Sequence, residues 1–316
     1  MTRQTAGIHH VTAIVGDPQE NVDFYAGVLG LRFVKKTVNF DDPGTYHLYF
    51  GNKKGDPGTI ITFFPWSGAR RGRIGAGQVG VTTYVVPVGT LGFWEERLKA
   101  FGVSVMNSSR FGEDYLEFND PHGLRLELVA REEGPRNEWA FGNIPQEKAI
   151  KGFGGAILYS GNPDSTVHLL EQMGLEKVGE ENDFSRLRAT GDLGNVIDVK
   201  QTIPAPGSMG AGTVHHIAWR ARDDEEMKDW RSRIQQNGFS PTEIINREYF
   251  HSVYFREEGG ILFEMATDPP GFTRDEPLEA LGEKLMLPPW LESQRDQIER
   301  ILQPIEVRLL KGDRRS

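Results

Sequence analysis

The chain has no cysteine among its 316 residues. That absence excludes disulfides, thiolate-bound zinc and iron–sulfur clusters, so any metal must be held by imidazole and carboxylate. Long apolar runs are missing too: the longest are of strand length, far short of the roughly 20 residues of a membrane span. The opening segment MTRQTAGIHH lacks the apolar stretch of a secretory signal, so the expected location is cytoplasmic, with no membrane partner. Positive charge is outnumbered, 36 Lys and Arg against 45 Asp and Glu for a net charge of -9. A phosphate backbone is therefore not an expected partner, and the short basic run Arg70, Arg71, Arg73 reads as a solvated linker. With 38% hydrophobic residues the chain is long enough for two domains, each with its own core.

Histidine is scarce, eight in all, yet four of the eight form two doublets, His9-His10 and His215-His216. The chain divides into four units of roughly 55 to 75 residues, each a strand, a helix and then further strands. The first runs IHHVTAIV, a helix from Asp17-Pro18 to Gly30, then LRFVKKTVNF, TYHLYF and TIITFFPW. The fourth runs VHHIAWRA, a helix from about Asp223 to Gly238, a strand around Thr242 to Ile245, HSVYF and ILFEMAT. In both helices Asp stands where the first free amides need an acceptor, and Gly stands where the chain turns left-handed. His10 precedes Phe24 by 14 residues and Phe33 by 23; His216 precedes Trp230 by 14 and Phe239 by 23. At this first-strand position the four units read His10, Gly80, Gly154, His216. In the last strand they read Phe63 (or its neighbour Thr62), Glu127, Asp198, Glu264. Units one and four together supply two histidines and a glutamate, so one metal site per chain is expected.

Strand alternation selects among these residues. His10, Thr12 and Ile14 share one face, while His9, Val11, Ala13 and Val15 share the face a helix would cover. The second histidine of each doublet is the better ligand. Glu264, in the apolar run ILFEMA, would be costly to bury without a cation or hydrogen bonds. Glu127 and Asp198 lack a histidine at the matching position and read as satisfied or exposed carboxylates. His47, His122 and His168, without matched partners, read as structural or surface residues, while His251 begins the strand that bears Tyr254.

The paired βαβββ units, with IHHVTAIVGDPQENVDFYAGVLGLRFVKKTVNFDDPGTYHLYFG at the start and TVHHIAWR followed by FEMATDPPGF near the end, resemble the vicinal oxygen chelate superfamily. Within it the whole chain resembles the ring-cleaving dioxygenases of the hydroquinone-specific type. That resemblance implies His10, His216 and Glu264 as metal ligands holding Fe(II), with Mn(II) or another divalent ion as the alternative. It implies supporting roles for His9, Thr12, His215, Arg247 and Tyr254, and a small aromatic substrate and O2 as reaction partners. His215 is expected to accept or shuttle protons, since an unperturbed imidazole titrates near ~6.5. Two other readings stand beside it. A glyoxalase-like isomerase or lyase would need a carboxylate from both paired units, and the Phe63 or Thr62 slot offers none. A small-molecule-sequestering protein of the same fold would not need the full ligand set.

The expected fold is α+β: four βαβββ units paired into two tandem cupped-sheet domains, with a helical C-terminal tail. The divisions are 1–135, 149–270 and 271–316, with the break in the charged, Pro- and Gly-containing segment from Glu133 to Lys148. For the ligands to meet, units one and four must be spatial partners, or a second subunit must complete the site; the former is preferred. In the tail, PPW followed by LESQRDQIERIL predicts a proline-started helix with Leu291, Ile298, Ile301 and Leu302 on its apolar face, packed over the cup or against another subunit. A homo-oligomer is a family expectation that no residue pattern carries.

Overall fold

The computed structural model describes residues 4–313. Unit one comprises β1 (Ile8–Val15), α1 (Pro18–Val22), β2 (Arg32–Asn39), β3 (Asp42–Gly51) and β4 (Ile60–Pro65). Unit two is β5 (Gln78–Val86), α2 (Leu91–Ala100), β6 (Met106–Arg110), β7 (Glu113–Asn119) and β8 (Arg125–Ala130). Unit three is β9 (Gly152–Tyr159), α3 (Pro163–Gln172), β10 (Glu176–Glu181), β11 (Phe184–Arg188) and β12 (Val196–Lys200). Unit four is β13 (Thr213–Ala221), α4 (Asp224–Gln236), β14 (Ile245–Asn246), β15 (Phe250–Arg256) and β16 (Leu262–Pro270). The helix starts follow the expected chemistry. The Asp17 carboxylate accepts from the Glu20 amide and Asp223 from the Glu226 amide, each at 2.8 Å. Gly30 and Gly238 close their helical segments at φ 68° and 86°. The first helix differs in one respect: after Val22 it widens into a π-helical turn, Asp23–Val28, whose Phe24 and Tyr25 are both buried.

Two eight-stranded sheets result, one ordered β14-β15-β16-β13-β1-β4-β3-β2 and the other β10-β11-β12-β9-β5-β8-β7-β6. Unit one thus pairs with unit four, and unit two with unit three. Each sheet takes one unit from either side of the Glu133 to Lys148 segment, so neither sheet is built from residues 1–135 or 149–270 alone. The join in the first sheet is antiparallel pairing of β1 with β13. Its register breaks twice, and each break makes a doublet's first histidine the extra residue. Ile8 faces Trp219 and His10 faces Ala218, leaving His9 over; Thr12 faces His216 and Ala13 faces Val214, leaving His215 over. These are β-bulges, which re-aim a side chain that strict alternation would send to the other face. The expectation that His9 lies with Val11 and Ala13 on the helix-covered face is corrected for this reason. In the second sheet the same two breaks fall at Gly80 and Gly154.

The last-strand slot is also settled by register. Glu264 pairs with Ala218 as Thr62 pairs with Thr12, so Thr62 rather than Phe63 matches Glu264. Glu127 faces Thr83 and Asp198 faces Ile157. Counting back by the same two residues that separate Ala218 from His216, the counterparts of the second histidines are Val81 and Gly155, one residue beyond Gly80 and Gly154.

In the second sheet Glu127 and Asp198 are buried and fully engaged. The Arg110 guanidinium donates to both Glu127 oxygens at 2.9 and 2.6 Å and to Asp198 at 2.7 Å. Arg186 donates to both Asp198 oxygens and to Glu113. A guanidinium here meets the carboxylates that would otherwise be left as uncompensated buried charge. Glu113 also accepts from Arg131 at 2.5 Å and Tyr115 at 2.6 Å.

The tail packs over the first sheet. Lys35, fully buried in β2, donates to Asp275 and Glu276, each at 2.5 Å. Phe272 sits 5.1 Å from both Tyr49 and Tyr249, ring to ring, inside the cup. The predicted tail helix is shorter than expected: α5 spans Arg295–Ile301, preceded by a 3-10 turn at Glu292–Gln294. Leu291, Ile298 and Leu302 are buried, but Ile301 is 60% exposed; the helix ends at Ile301, and Leu302 is buried from extended backbone just beyond it. Beyond it the chain runs extended past α1, where Gln19 bonds Glu306 and Arg308 pairs with Asp23.

Burial alone would raise the Glu113 carboxyl, but the guanidinium groups of Arg131 and Arg186 and the Tyr115 hydroxyl hold it down to about 2. A depressed carboxyl stabilises the fold fully above its unfolded value and loses that contribution as pH falls toward the folded value. The difference in urea unfolding free energy between wild type and Glu113→Gln is therefore expected to be constant above pH ~5 and to shrink below ~4.5. A difference that grows on acidification contradicts this assignment.

Candidate metal centre

His10, His216 and Glu264 converge at the join between β1 and β13. His10 Nε2 lies 3.3 Å from His216 Nε2 and 3.2 Å from Glu264 Oε2, and His216 Nε2 lies 2.9 Å from the same oxygen. All three side chains are buried. A cation about 2.1 Å from each atom would subtend angles of about 90–100°, as three ligands do on one face of an octahedron. The opposite face would be left open.

The hydrogen bonds around the triangle fix its protons. His9 Nε2 lies 3.1 Å from the Thr267 carbonyl oxygen, which can only accept, so this nitrogen carries the hydrogen. His9 Nδ1 is then an acceptor, and His10 Nδ1, 2.9 Å away, is the donor. His10 Nε2 is left with a lone pair aimed at the centre. The His215 and His216 Nδ1 atoms form the matching contact at 2.7 Å, and the same sense of donation leaves the His216 Nε2 lone pair facing inward. Each bulged histidine thus orients its neighbour as a ligand, the outer-shell device typical of metal-bound imidazole.

Glu264 Oε1 accepts from Ser252, but Oε2, fully buried, has no hydrogen-bond partner among the described residues. Burial opposes ionisation of this carboxyl; positive charge at the His10 and His216 positions outweighs burial and holds it well below the ordinary carboxylate range. Burial also pushes His216 below the ordinary imidazole value, so a proton does not supply the charge at His216 at neutral pH. A divalent cation would, and it would satisfy two lone pairs and an orphaned oxygen at once. The residues present fit a metal ion.

A cavity of about 250 Å³ opens beside the triangle. Of the eight residues singled out in the sequence, His10, His215, His216, Arg247 and Tyr254 line it, with Glu264 beneath. His9 and Thr12 do not line it; His9 bonds His10, and the Thr12 hydroxyl lies 2.9 Å from that of Thr62. Burial, reinforced by His216, pushes His215 down to about 3, so it is a neutral imidazole and not one poised near neutrality. Arg247 pairs with Asp41 at 3.0 Å and lies 5.5 Å from the Tyr254 ring centre. Burial raises the Tyr254 phenol, keeping it protonated.

The remaining walls are Asn39, Phe40, Asp41, His47, Tyr49, Phe64, Trp66, Phe250 and Leu262. The sequence reading missed His47 and Tyr49. The signal lay in the repeat itself: Tyr49 faces Thr62 as Tyr254 faces Glu264, so matching the third strands as well as the first and last would have aligned Tyr49 with Tyr254. His251 lies elsewhere, 2.6 Å from Asp224 at the start of α4.

Comparison with known proteins agrees with this geometry. Residues 7–128 and 152–265 match the model of the Glyoxalase/Bleomycin resistance protein/Dioxygenase superfamily. The chain is 64% identical over 311 residues to "Putative ring-cleaving dioxygenase MhqO" of Bacillus subtilis (strain 168), covering 98% of this chain and all of that one. It is 34% identical to the "Chlorohydroquinone/hydroquinone 1,2-dioxygenase" of Sphingobium indicum, covering 96% and 97% of the two chains. A solved Bacillus subtilis structure with 64% identity superposes at a TM-score of 0.97, covering 98% of this chain and all of that one.

Replacing His9 by Phe removes the acceptor that sets the His10 tautomer. Divalent-metal affinity of the metal-free protein, read by calorimetry, is expected to fall by about 10–100-fold, while His251→Ala leaves it unchanged. Equal affinities in H9F and wild type would contradict the tautomer assignment.

Proposed function

We propose, for a chain that belongs to the Glyoxalase/Bleomycin resistance protein/Dioxygenase superfamily and is an oxidoreductase of the ring-cleaving kind, that it opens a hydroquinone- or catechol-type ring with O2. Its ligands are His10, His216 and Glu264, and the metal is Fe(II), with Mn(II) or another divalent ion as the alternative. One observation carries the reading: a buried carboxylate oxygen with no hydrogen-bond partner among the described residues, facing two imidazole lone pairs beside a cavity. The relatives named for ring cleavage and for hydroquinone cleavage support the substrate class.

His10, His216 and Glu264 would hold a redox-active divalent ion, and that ion would supply binding of a phenolic oxygen and of O2 together with electron transfer between them. The chain's own groups supply the rest. Phe64 and Trp66, stacked with an interplanar angle of 18°, and the rings of Phe40, His47 and Phe250 form walls suited to a planar aromatic molecule. These apolar faces exclude water from the reacting ring. His215, neutral through burial and with its Nδ1 taken by the His216 N–H, offers its Nε2–H as a donor to substrate oxygen. Arg247 presents a fixed cationic fork to negative charge that develops on substrate oxygen, and Tyr254 presents a phenolic donor. His9 holds His10 in its ligand tautomer, and Thr12 offers a hydroxyl on the same strand face as His10.

The glyoxalase-like reading is disfavoured by Thr62, which occupies the slot where a second carboxylate would stand. The sequestering reading leaves the paired tautomer-setting histidines without a use.

Oxygen uptake with hydroquinones and catechols after anaerobic loading with Fe(II) separates these readings. Uptake stoichiometric with loss of the aromatic absorbance is expected; tight binding without uptake overturns the proposal. Tyr254→Phe and Arg247→Met are expected to keep the metal and lose about 10²-fold in turnover. Loss of metal in either variant contradicts its assigned role.

A further inference from the structure

Phe250 is held in place by its backbone. Its carbonyl accepts from the Arg247 amide at 2.9 Å, and the neighbouring Tyr249 carbonyl accepts from Gly271 at 3.0 Å. The pairing of β15 with β16 is irregular at this point: Phe250 faces Pro270 and Ser252 faces Ala266, so two steps along β15 match four along β16. The extra residues of β16 include Thr267, whose carbonyl accepts from His9. One irregularity thus anchors His9 and aims Phe250 at the first histidine doublet. The buried Phe250 ring lies 4.9 Å from the His10 ring and 5.2 Å from the His9 ring.

A second opening reaches the same ring. A cleft of about 380 Å³ runs inward from the exposed Lys54, Asp56 and Thr273 to the buried His9, Phe250 and Phe272. Among the described residues Phe250 alone lines both this cleft and the cavity beside the ligand triangle. Elsewhere the partition has two layers. Tyr49, on the cavity side, is backed on the cleft side by Phe272 and Tyr249, 5.1 and 6.1 Å away ring to ring. At Phe250 it is a single ring thick. The hydrogen bonds that place Phe250 do not involve its side chain, so truncating the ring opens the partition without releasing Arg247.

Volume decides what the partition does. An apolar cavity of about 150 Å³ suffices for benzene, so about 250 Å³ takes one ring with its oxygens and small substituents. Two rings need roughly 300 Å³ on the same scale, more than the cavity offers and much less than cavity and cleft together. A group carried next to a metal-bound oxygen lies at the depth of the ligands, where Phe250 packs against His10, rather than at the mouth, where Asp41 is exposed. We infer that Phe250 sets the size of the substrate: its ring confines the site to single-ring diols and turns away those that carry a second aromatic ring beside the metal-bound oxygen. The inference rests on the ring-cleaving reading and adds to it a limit on the substrate class and the side chain that imposes it.

The test compares Fe(II)-loaded wild type with Phe250→Ala, Phe250→Leu and Phe272→Ala, each normalised to bound iron. Kd values for catechol and 3-phenylcatechol are read anaerobically by calorimetry, and kcat/KM for hydroquinone and phenylhydroquinone by oxygen uptake. Wild type is expected to bind 3-phenylcatechol about tenfold or more weakly than catechol, and to show the same preference in turnover. In F250A both ratios are expected to shift about tenfold or more toward the two-ring compound, whose second ring then has an apolar place to occupy. F250L, which keeps a smaller plug, gives a partial shift and carries the test should F250A fail to fold. F272A, which widens the cleft but leaves Tyr49 standing, keeps the wild-type ratios. A wild type that accepts both sizes equally, ratios unchanged in F250A and F250L, or an F272A that behaves as F250A does, overturns the inference while leaving ring cleavage intact. Wild-type protein that neither binds catechol nor takes up O2 with hydroquinone would instead sink the ring-cleaving reading itself.

Discussion

The antiparallel pairing of β1 with β13 is the constraint on which the centre depends. It joins segments more than two hundred positions apart, and it places two imidazoles and one carboxylate within 3.3 Å of one another. A regular ladder would not do this, since neighbouring side chains on a strand point to opposite faces. The two bulges resolve the conflict. Each takes the first histidine of a doublet out of register and brings its Nδ1 to that of the second, so that one member of the doublet faces the cation and the other sets its tautomer. Bulges of this kind disrupt the ladder locally and are found where a side chain must be re-aimed.

The second sheet is an internal control built from the same grammar. Its central strands carry bulges at Gly80 and Gly154, and its carboxylates Glu127 and Asp198 are buried as Glu264 is. Without histidines to hold a metal, those carboxylates are met by the Arg110 and Arg186 guanidinium groups. The contrast sharpens the meaning of the orphaned Glu264 oxygen. In the matching last-strand slots of the second sheet the buried acids meet arginine; beside Glu264 stand two imidazoles and a cavity.

Much of this was legible in the sequence because the repeat is gap-free between His10 and Phe33 and between His216 and Phe239. Four units, α+β architecture, the helix caps and the convergence of His10, His216 and Glu264 all follow from counting. The limits of counting are equally specific. A bulge inserts a residue without a mark in the apolar pattern, so the face of His9 and the exact counterparts of the histidines in units two and three were read one residue out. His47 and Tyr49 lie on a middle strand whose alternation TYHLYF looks like an ordinary half-buried edge, and only three-dimensional register couples them to Thr62. The tail helix was drawn too long because its apolar positions are shared with an extended segment whose contacts are with α1 and β3, not with its own turns.

The central claim is that His10, His216 and Glu264 hold a single cation with their Nε2 and Oε2 atoms. X-ray absorption fine structure of the Fe(II)-loaded protein reads this directly. Two imidazole rings per iron, seen through their outer-ring scattering, in a first shell of light N and O atoms near ~2.1 Å, are the predicted result. One imidazole or none per iron, or a third attributable to His47, would contradict the account.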